Sequence, residues 1–181
     1  LNDLADNNSV QNSDPAVTIF APLASSLTSL VEKIDASHQE SERTKLNVTK
    51  SVGRIARLAQ EIAASPCDSG IGIGHTRWAT HGAATVDNAH PHLGGAETLA
   101  IAHNGVIENF AELRTSLKAK GYEFSSETDT EVVAHLIADC LTQITEGSET
   151  CPTPEIAVEA IKKAIGQLRG TFGLAIVFQQ W

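Results

Sequence analysis

The sequence predicts a single domain that combines helices and strands. Its 181 residues suit one domain. With 41% apolar and 19% charged residues, the chain has the usual composition of a globular protein with a buried core. Amphipathic helix patterns recur between short apolar segments that resemble strands. Together these observations exclude a fully disordered chain and a collagen-like repeat.

In the first half of the chain, the residue pattern predicts strands and helices in alternation. The polar residues 1–15 are expected to form a poorly ordered tail. The predicted elements that follow are a strand at 16–20, a helix at 23–34, a short strand at 46–48, a helix at 55–62 and a buried strand at 71–78. Residues 79–95 carry few helix signals, and such a long loop in a compact domain is usually functional.

The second half of the chain predicts three helices and further strands, with clear start and stop signals. Asn109 is expected to cap the first helix and Gly121 to end it, Thr128 or Asp129 to cap the second, and Pro154 to begin the third. The apolar face of the third helix is expected to be Ile161, Ile165 and Leu168. The predicted order is a strand at 99–102, a helix at 110–117, a strand-like step at 122–124, helices at 132–141 and 154–168, and a strand at 171–178.

The charge balance and the cysteines limit the partners of the protein. There are 13 Lys and Arg against 22 Asp and Glu, a net charge of -9. The chain therefore lacks the broad basic surface that nucleic acid or an anionic membrane requires, and we expect neither partner. No signal peptide or membrane span is recognisable. Three cysteines without metal-binding spacing favour a reducing, cytoplasmic location over a disulfide framework.

Polar residues with chemical potential concentrate in four short segments. These are residues 75–82, 88–92, 103–105 and 127–131. The histidines among them match no known metal-ligand spacing, so we expect no metal and no cofactor. Cys140 lies on an apolar helix face, which indicates a buried small hydrophobe rather than a nucleophile.

Three residues in these segments have two interpretations each. Arg77 follows an apolar segment, so it pairs with a structural acid or holds a ligand carboxylate. Asn104 and Gly105 form a tight hairpin turn or donate two hydrogen bonds to a developing oxyanion. Asp129 caps a helix or pairs with a ligand ammonium group. Arg77 and Asp129 together would clamp the two charges of an α-amino acid.

Longer strings resemble one known family. They are GHTRWATHG at 74–82, NAHPH at 88–92, HNGVIEN at 103–109, SETDTEV at 126–132 and LRGTFGLAIV at 168–177. In this order and spacing they resemble the glutaminase domain, a class II glutamine amidotransferase, of the glucosamine-6-phosphate synthases. These are the isomerizing glutamine–fructose-6-phosphate aminotransferases. The resemblance covers residues 45–178, so 1–44 is an unmatched segment and 45–181 a partial glutaminase domain.

The resemblance implies a fold and an activity. The fold would be α+β, a four-layer αββα sandwich of the N-terminal-nucleophile type, incomplete here at both ends. The cysteine that begins the family's domain attacks the side-chain amide of glutamine, and its own α-amine is the base. The released ammonia passes to isomerase domains that hold fructose 6-phosphate, and glucosamine 6-phosphate forms. Glutamine and those domains are the implied partners, and a homodimer is expected only at full length.

The resemblance also implies a role for each matching residue. Arg77 would bind the α-carboxylate of glutamine with help from Thr80 and His81, and Asp129 would bind the α-ammonium. Asn104 and Gly105 would form the oxyanion hole. Trp78 would gate the passage of ammonia, and His90 would support the loop around the pocket. His75, His92 and His103 would be structural.

The sequence departs from the family at its start. No cysteine begins the chain, and the internal Cys67 lacks a free α-amine, so this chain alone is expected to be nearly inactive. The alternative function is a glutaminase-like module that senses glutamine or binds a partner without hydrolysis. Truncation, a genuine new N-terminus and a misjoined first segment all remain open as explanations of residues 1–44.

Overall fold

A three-stranded antiparallel sheet, covered by helices, frames the site. The computed structural model describes residues 46–67, 69–77, 82–146 and 152–179. The sheet has the order β1-β2-β3. Its strands are β1 (His92–Gly94), β2 (Leu99–Ile107) and β3 (Gly170–Phe178). Because β2 lies in the middle and pairs antiparallel on both sides, its residues have fixed neighbours, as in Ile101 opposite Ile176.

Four helices accompany the sheet in the described part of the chain. They are α1 (Ile55–Ala64), α2 (Phe110–Ala119), α3 (Asp129–Ile144) and α4 (Pro154–Ile165). Helix α3 packs against β1, β2, α2 and α4, so it forms the centre of the core. None of the described helices is long and apolar enough to cross a bilayer. The described architecture is α+β, helices with one antiparallel sheet.

The start signals of α3 and α4 are confirmed. The Thr128 side chain caps α3 by accepting a hydrogen bond from the N–H of Glu131, so Thr128 rather than Asp129 is the cap. Thr153 caps α4 in the same way, with Pro154 at the first helical position. The helices expected at 55–62, 110–117, 132–141 and 154–168 and the strands at 99–102 and 171–178 are also confirmed, although α4 ends at Ile165.

The core face of α4 differs from the expectation. Ala157, Ala160 and Ala164 are fully buried on it, whereas Ile165 is 40% exposed and Ile161 and Leu168 are only partly buried. Spaced three and four residues apart, the alanines share one helix face. These small side chains lie in the core, where α4 packs against α3.

Two expected strands are wrong. Ile71 makes only a single bridge and is 51% exposed, and no strand follows it in the described residues 72–77. Glycines alternate through this segment and leave little side-chain surface to pack a strand. Leu46 likewise makes a single bridge without a strand. The strand at 16–20 and the helix at 23–34 lie outside the described residues.

Other local expectations are also corrected. The long loop at 79–95 contains the unexpected strand β1. Residues 122–124 form no strand. The ring centres of Tyr122 and Phe124 lie 5.2 and 4.9 Å from that of His135, so both rings pack against the side of α3. Asn109 precedes α2 without a side-chain cap bond, because its amide binds Gln167 and Arg169 instead.

Candidate functional site

The polar segments converge where β2 leaves the core. His75 Nε2 lies 2.6 Å from Asn104 Oδ1, which joins the segment before Arg77 to β2. Asp129, the first residue of α3, accepts a hydrogen bond from the N–H of Ile107 at 3.0 Å. Segments that are far apart in the chain therefore meet at one end of the sheet.

Asn104 and Gly105 lie inside β2, so the hairpin-turn interpretation is wrong. They pair with Gly173 and Phe172 of β3. Strand β2 is buried from Leu99 to His103, whereas both residues are exposed. Gly105 has φ of +121°, and a Cβ there would lie 2.0 Å from the carbonyl oxygen of Thr171. This position therefore requires glycine.

Asp129 is held at the N-terminal end of α3. The residue is 3% exposed, and its second carboxylate oxygen lies 3.9 Å from Nδ1 of His103. The positive end of the helix dipole favours an anion at this place. The N-cap of α3 is Thr128, and the Asp129 carboxylate accepts a hydrogen bond from the N–H of Ile107.

Arg77 is joined to the loop that follows it. Its two terminal nitrogens donate to the carbonyl oxygens of Gly82 and Ala83 at 3.2 and 3.1 Å. The side-chain amide of Asn88 donates to the same Ala83 oxygen and accepts from the N–H of Glu127 at 2.9 Å. Asn88 therefore connects the loop around Arg77 to the segment that leads into α3.

Four buried histidines lie beneath the exposed end of β2. They are His75, His90, His92 and His103. Thr130 Oγ1 lies 2.9 Å from Nε2 of His90 and 3.1 Å from Nδ1 of His103, so one hydroxyl joins two rings. Thr128 Oγ1 joins Nε2 of His92 at 3.0 Å. The first turn of α3 thus holds the histidine cluster in place.

Burial keeps three histidines of this cluster, His75, His90 and His92, neutral at neutral pH by lowering the pKa of each. It lowers the pKa of His90 to about 2, with the charges of His75 and His92 adding to the effect. Burial, assisted by the charge of Lys50, lowers the pKa of His92 to about 3. Among the described residues, no group of three or more His, Cys, Asp or Glu side chains is arranged to hold a metal ion.

Glu131 ties the segment before α3 to the helix. Burial disfavours its charge, but hydrogen bonds from both backbone N–H groups and both hydroxyls of Ser125 and Ser126 outweigh burial and lower the pKa of Glu131. Arg114 supports the arrangement by donating to the Ser126 carbonyl while its guanidinium lies 4.6 Å from the centre of the Phe124 ring.

The contacts above join the segments that carry Arg77, Asn104, Gly105, His90 and Asp129. Trp78, Thr80 and His81 lie outside the described residues.

Asn88, Thr130 and Glu131 lie in candidate segments of the sequence but were given no role there, and the contact of His75 with Asn104 was not predicted. The spacing of Thr128 and Glu131 is that of a capping box and could have identified Glu131. No local signal joins His75 to Asn104, which are 29 residues apart.

Comparison with known proteins identifies the class to which this fold and site correspond. The model of the glutamine amidotransferase domain matches residues 31–148. The chain therefore belongs to the glutamine amidotransferase domain family. Solved structures agree: the glutamine phosphoribosylpyrophosphate amidotransferase of B. subtilis is 26% identical with a TM-score of 0.60, covering 91% of this chain and 32% of that one. The structure of the allosteric regulatory enzyme of purine biosynthesis is 25% identical in sequence, with a TM-score of 0.55. The match covers 83% of this chain and 29% of that one.

Curated relatives point to one branch of the family. The isomerizing glutamine–fructose-6-phosphate aminotransferase of Clostridium acetobutylicum is 45% identical over 74% of this chain and 20% of its own length. The enzyme of the same name from Thermococcus kodakarensis is 47% identical over the same shares. The one from Bradyrhizobium diazoefficiens is 40% identical over 87% of this chain and 25% of its own length. The chain thus spans a fifth to a quarter of the length of these relatives.

Proposed function

We propose that the chain is the glutamine-binding domain of an isomerizing glutamine–fructose-6-phosphate aminotransferase. Its role is to hold glutamine while the side-chain amide is hydrolysed to glutamate and ammonia. The observation that carries this proposal is the convergence of Arg77, Asn104 and Asp129 segments at one end of the sheet. The similarity to enzymes of that name supports it.

The two charges of the glutamine backbone are recognised by Arg77 and Asp129. The planar guanidinium suits the α-carboxylate, because its fork matches two carboxylate oxygens. The buried carboxylate of Asp129 suits the α-ammonium, and its anchoring by the N–H of Ile107 keeps it in one orientation. Thr80 and His81 assist Arg77 in this proposal.

The reacting amide lies at Asn104 and Gly105. A thiolate that adds to the γ-carbonyl carbon places negative charge on the carbonyl oxygen, and two fixed donors stabilise that charge. Both residues lie in the exposed stretch of β2 that follows its buried residues 99–103, and this exposure supports the role. Trp78 gates the ammonia passage, and His90 supports the loop around the pocket from its bond to Thr130.

The larger setting is proposed from the relatives. The described α+β fold is part of a four-layer αββα sandwich, with a glutaminase domain at 45–181 and a separate segment at 1–44. Isomerase domains that bind fructose 6-phosphate receive the ammonia, which yields glucosamine 6-phosphate, and the full-length enzyme forms the homodimer. The cytoplasmic location rests on the cysteine usage of the sequence.

Calorimetric titration of the 181-residue chain with L-glutamine tests the clamp. Binding is measured because the clamp acts before any bond breaks. We expect Arg77→Ala and Asp129→Asn each to weaken binding at least tenfold, since each removes one charge partner. Asn keeps an oxygen for the N–H of Ile107, so the fold is preserved.

Two controls make the test specific. Arg57→Ala removes an arginine from α1, where its side chain is 69% exposed, and should leave affinity unchanged. Glutamine α-amide, which lacks the carboxylate charge, should bind the wild type weakly and lose little more with Arg77→Ala. Equal losses of glutamine and of its α-amide in Arg77→Ala would contradict the assignment of Arg77. Glutamate release by a protein that carries this domain together with an N-terminal cysteine separates hydrolysis from the alternative of sensing, because this chain alone is expected to be nearly inactive.

A further inference from the structure

We propose that His75 is a positioning residue that turns the side-chain amide of Asn104, so that its NH2 group faces the site as an oxyanion donor. The proposal rests on the proposed function, because this orientation matters only if Asn104 stabilises an oxyanion. His75 acts through Asn104.

The contact has a buried and an exposed partner. Nε2 of His75 lies 2.6 Å from Oδ1 of Asn104. His75 is 8% exposed, whereas Asn104 is exposed at the open end of β2. The buried ring is the fixed member of the pair, and the exposed amide is the member that needs orienting, because side-chain amides rotate freely when unpaired.

Two proton arrangements fit the same heavy-atom positions, and they predict opposite chemistry. In the first, Nε2–H of His75 donates to Oδ1 of Asn104, and the NH2 group faces outward. In the second, the amide is reversed: its NH2 group donates to Nε2, and its oxygen faces outward. An outward oxygen would repel a developing negative charge, whereas an outward NH2 group would stabilise it.

The other ring nitrogen decides between them. Nδ1 of His75 is buried without a hydrogen-bond partner among the described residues. In the second arrangement the proton of the neutral ring lies on Nδ1, and a buried N–H without an acceptor costs about 1–3 kcal/mol. In the first arrangement Nδ1 carries only a lone pair. The one N–H of the neutral ring, on Nε2, donates to Oδ1 of Asn104.

The surroundings hold the ring neutral and in place. Burial lowers the pKa of His75, and the charge of Arg77 adds to the effect, so the ring carries one proton at neutral pH. The ring centre of His90 lies 4.3 Å away, and Thr130 fixes His90 from the first turn of α3. A path of direct contacts therefore runs from α3 through His90 and His75 to Asn104.

Nitrogen-15 NMR of the wild-type chain without ligand tests the arrangement. Long-range correlations between ring protons and ring nitrogens report which nitrogen carries the proton. We expect the proton on Nε2 of His75. A proton on Nδ1 would overturn the proposal, whether or not the protein binds glutamine.

A second measurement follows the Asn104 NH2 resonances during a glutamine titration. In the wild type we expect saturating glutamine to shift them. His75→Leu, which cannot donate, should lose that shift while glutamine affinity changes less than threefold. His75→Gln, whose amide nitrogen can donate to Oδ1, should restore it. His135→Gln replaces another buried histidine and is the control for general loosening.

The outcomes distinguish the two proposals. An unchanged Asn104 shift in His75→Leu would overturn the positioning role. Failure of the wild type to bind glutamine would overturn the proposed function instead, and with it the catalytic meaning of the Asn104 orientation. A proton on Nε2, a shift lost with Leu and a shift restored with Gln would support the positioning role.

Discussion

Two regions of this domain both contain fully buried side chains, but different forces hold them. The apolar body comprises the inner half of β2, the middle of α3 and the alanine face of α4, and it holds Leu99, Ile137 and Ala160 at 0% exposure. The polar end comprises the histidine cluster, the segment before α3 and the first turn of α3, where Thr130 is also 0% exposed. The body depends on shape, whereas the polar end depends on satisfied hydrogen bonds.

This difference explains why the candidate site lies where it does. A buried polar network rigidifies the side chains around it, and a partly broken one is costly. Asn104 and Asp129 lie at the margin of such a network, and each makes a hydrogen bond with a neighbour, His75 and the N–H of Ile107 respectively. The apolar body offers no hydrogen-bond partners to charged groups, so burying them there would cost too much free energy. The two regions should therefore respond differently to acid and to substitution.

Acid should produce the largest effect, and it should act on the polar end. The pKa values of His90 and His92 lie at about 2 and about 3 in the folded protein, against 6.5 when exposed. Below pH 6.5 the unfolded chain therefore gains protons that the folded chain does not. The free energy of unfolding consequently decreases as the pH is lowered. Each histidine lowers the free energy of unfolding by about 1.4 kcal/mol per pH unit below pH 6.5. The two together therefore lower it by roughly 5 kcal/mol at pH 4.5.

Urea unfolding between pH 7.5 and 4.5 measures this loss. The pKa of Glu131 is lowered from 4.5, so its contribution is present above pH 4.5 and disappears only on further acidification through its folded pKa. Any loss above pH 5 therefore belongs to the histidines. His92→Gln should reduce the slope of the unfolding free energy against pH by the contribution of about one proton. A stability that stays constant from pH 6.5 to 5 would show that the cluster is not buried in its neutral form.

Gly105→Ala should have the next largest effect, at the boundary between the two regions. Its Cβ would meet the carbonyl oxygen of Thr171 at 2.0 Å, with φ of +121°. Strain and displacement of β3 should cost about 4 kcal/mol in the free energy of unfolding by urea. Gly173→Ala is the matched control on β3, where no atom lies within 4 Å. It should be neutral, and equal losses in both variants would contradict this explanation.

Ile137→Ala should weaken only the apolar body. The side chain is fully buried in α3, so its removal should cost about 3 kcal/mol from lost burial and a cavity. The dependence of stability on pH should match the wild type, because no titrating group changes. Ile165→Ala, at a 40% exposed position on α4, should cost under about 1 kcal/mol. An altered pH slope in Ile137→Ala would show that the two regions are coupled.

The predictability of the two regions from sequence differed for the same physical reason. Much of the apolar body was predictable, because helices such as α3 are indicated by periodic apolar residues and by a capping residue, here Thr128. The alanine face of α4 was not, because small residues carry a weak hydrophobic signal and the isoleucines beside them a strong one. Ile71 looked like a strand residue, but pairing depends on a neighbour that the local pattern does not reveal.

The polar end was predictable only in its composition. The segments with Arg77, Asn104 and Asp129 were recognisable as chemically active, but their partners depend on contacts between distant residues. His75 contacts Asn104 across 29 positions, and Asn88 contacts Glu127 across 39. Asn104 with Gly105 reads locally as a turn, and only the pairing with β3 reveals a strand. Roles assigned to Arg77 and Asp129 in binding glutamine stay predictions.

Asn109 gives the smallest predicted effect and the sharpest test of local against distant contacts. It precedes α2 in the cap position, yet its amide nitrogen donates to the Gln167 carbonyl at 2.9 Å and its oxygen accepts from the N–H of Arg169 at 2.9 Å. Asn and Asp are nearly equivalent as helix caps. They are not equivalent here, because an Asp carboxylate would place an oxygen against the Gln167 carbonyl.

Asn109→Asp should therefore destabilise the protein by about 1–2 kcal/mol in urea unfolding at pH 7. A cap at this position would instead leave stability unchanged, or raise it slightly through the helix dipole. Thr153→Ser provides the matched comparison, because Thr153 does cap α4 and serine keeps the capping oxygen. If both conservative changes are neutral, Asn109 acts as a local cap. If only Asn109→Asp destabilises, the amide is a cross-link that joins the end of β2 to the start of β3, beside the candidate site.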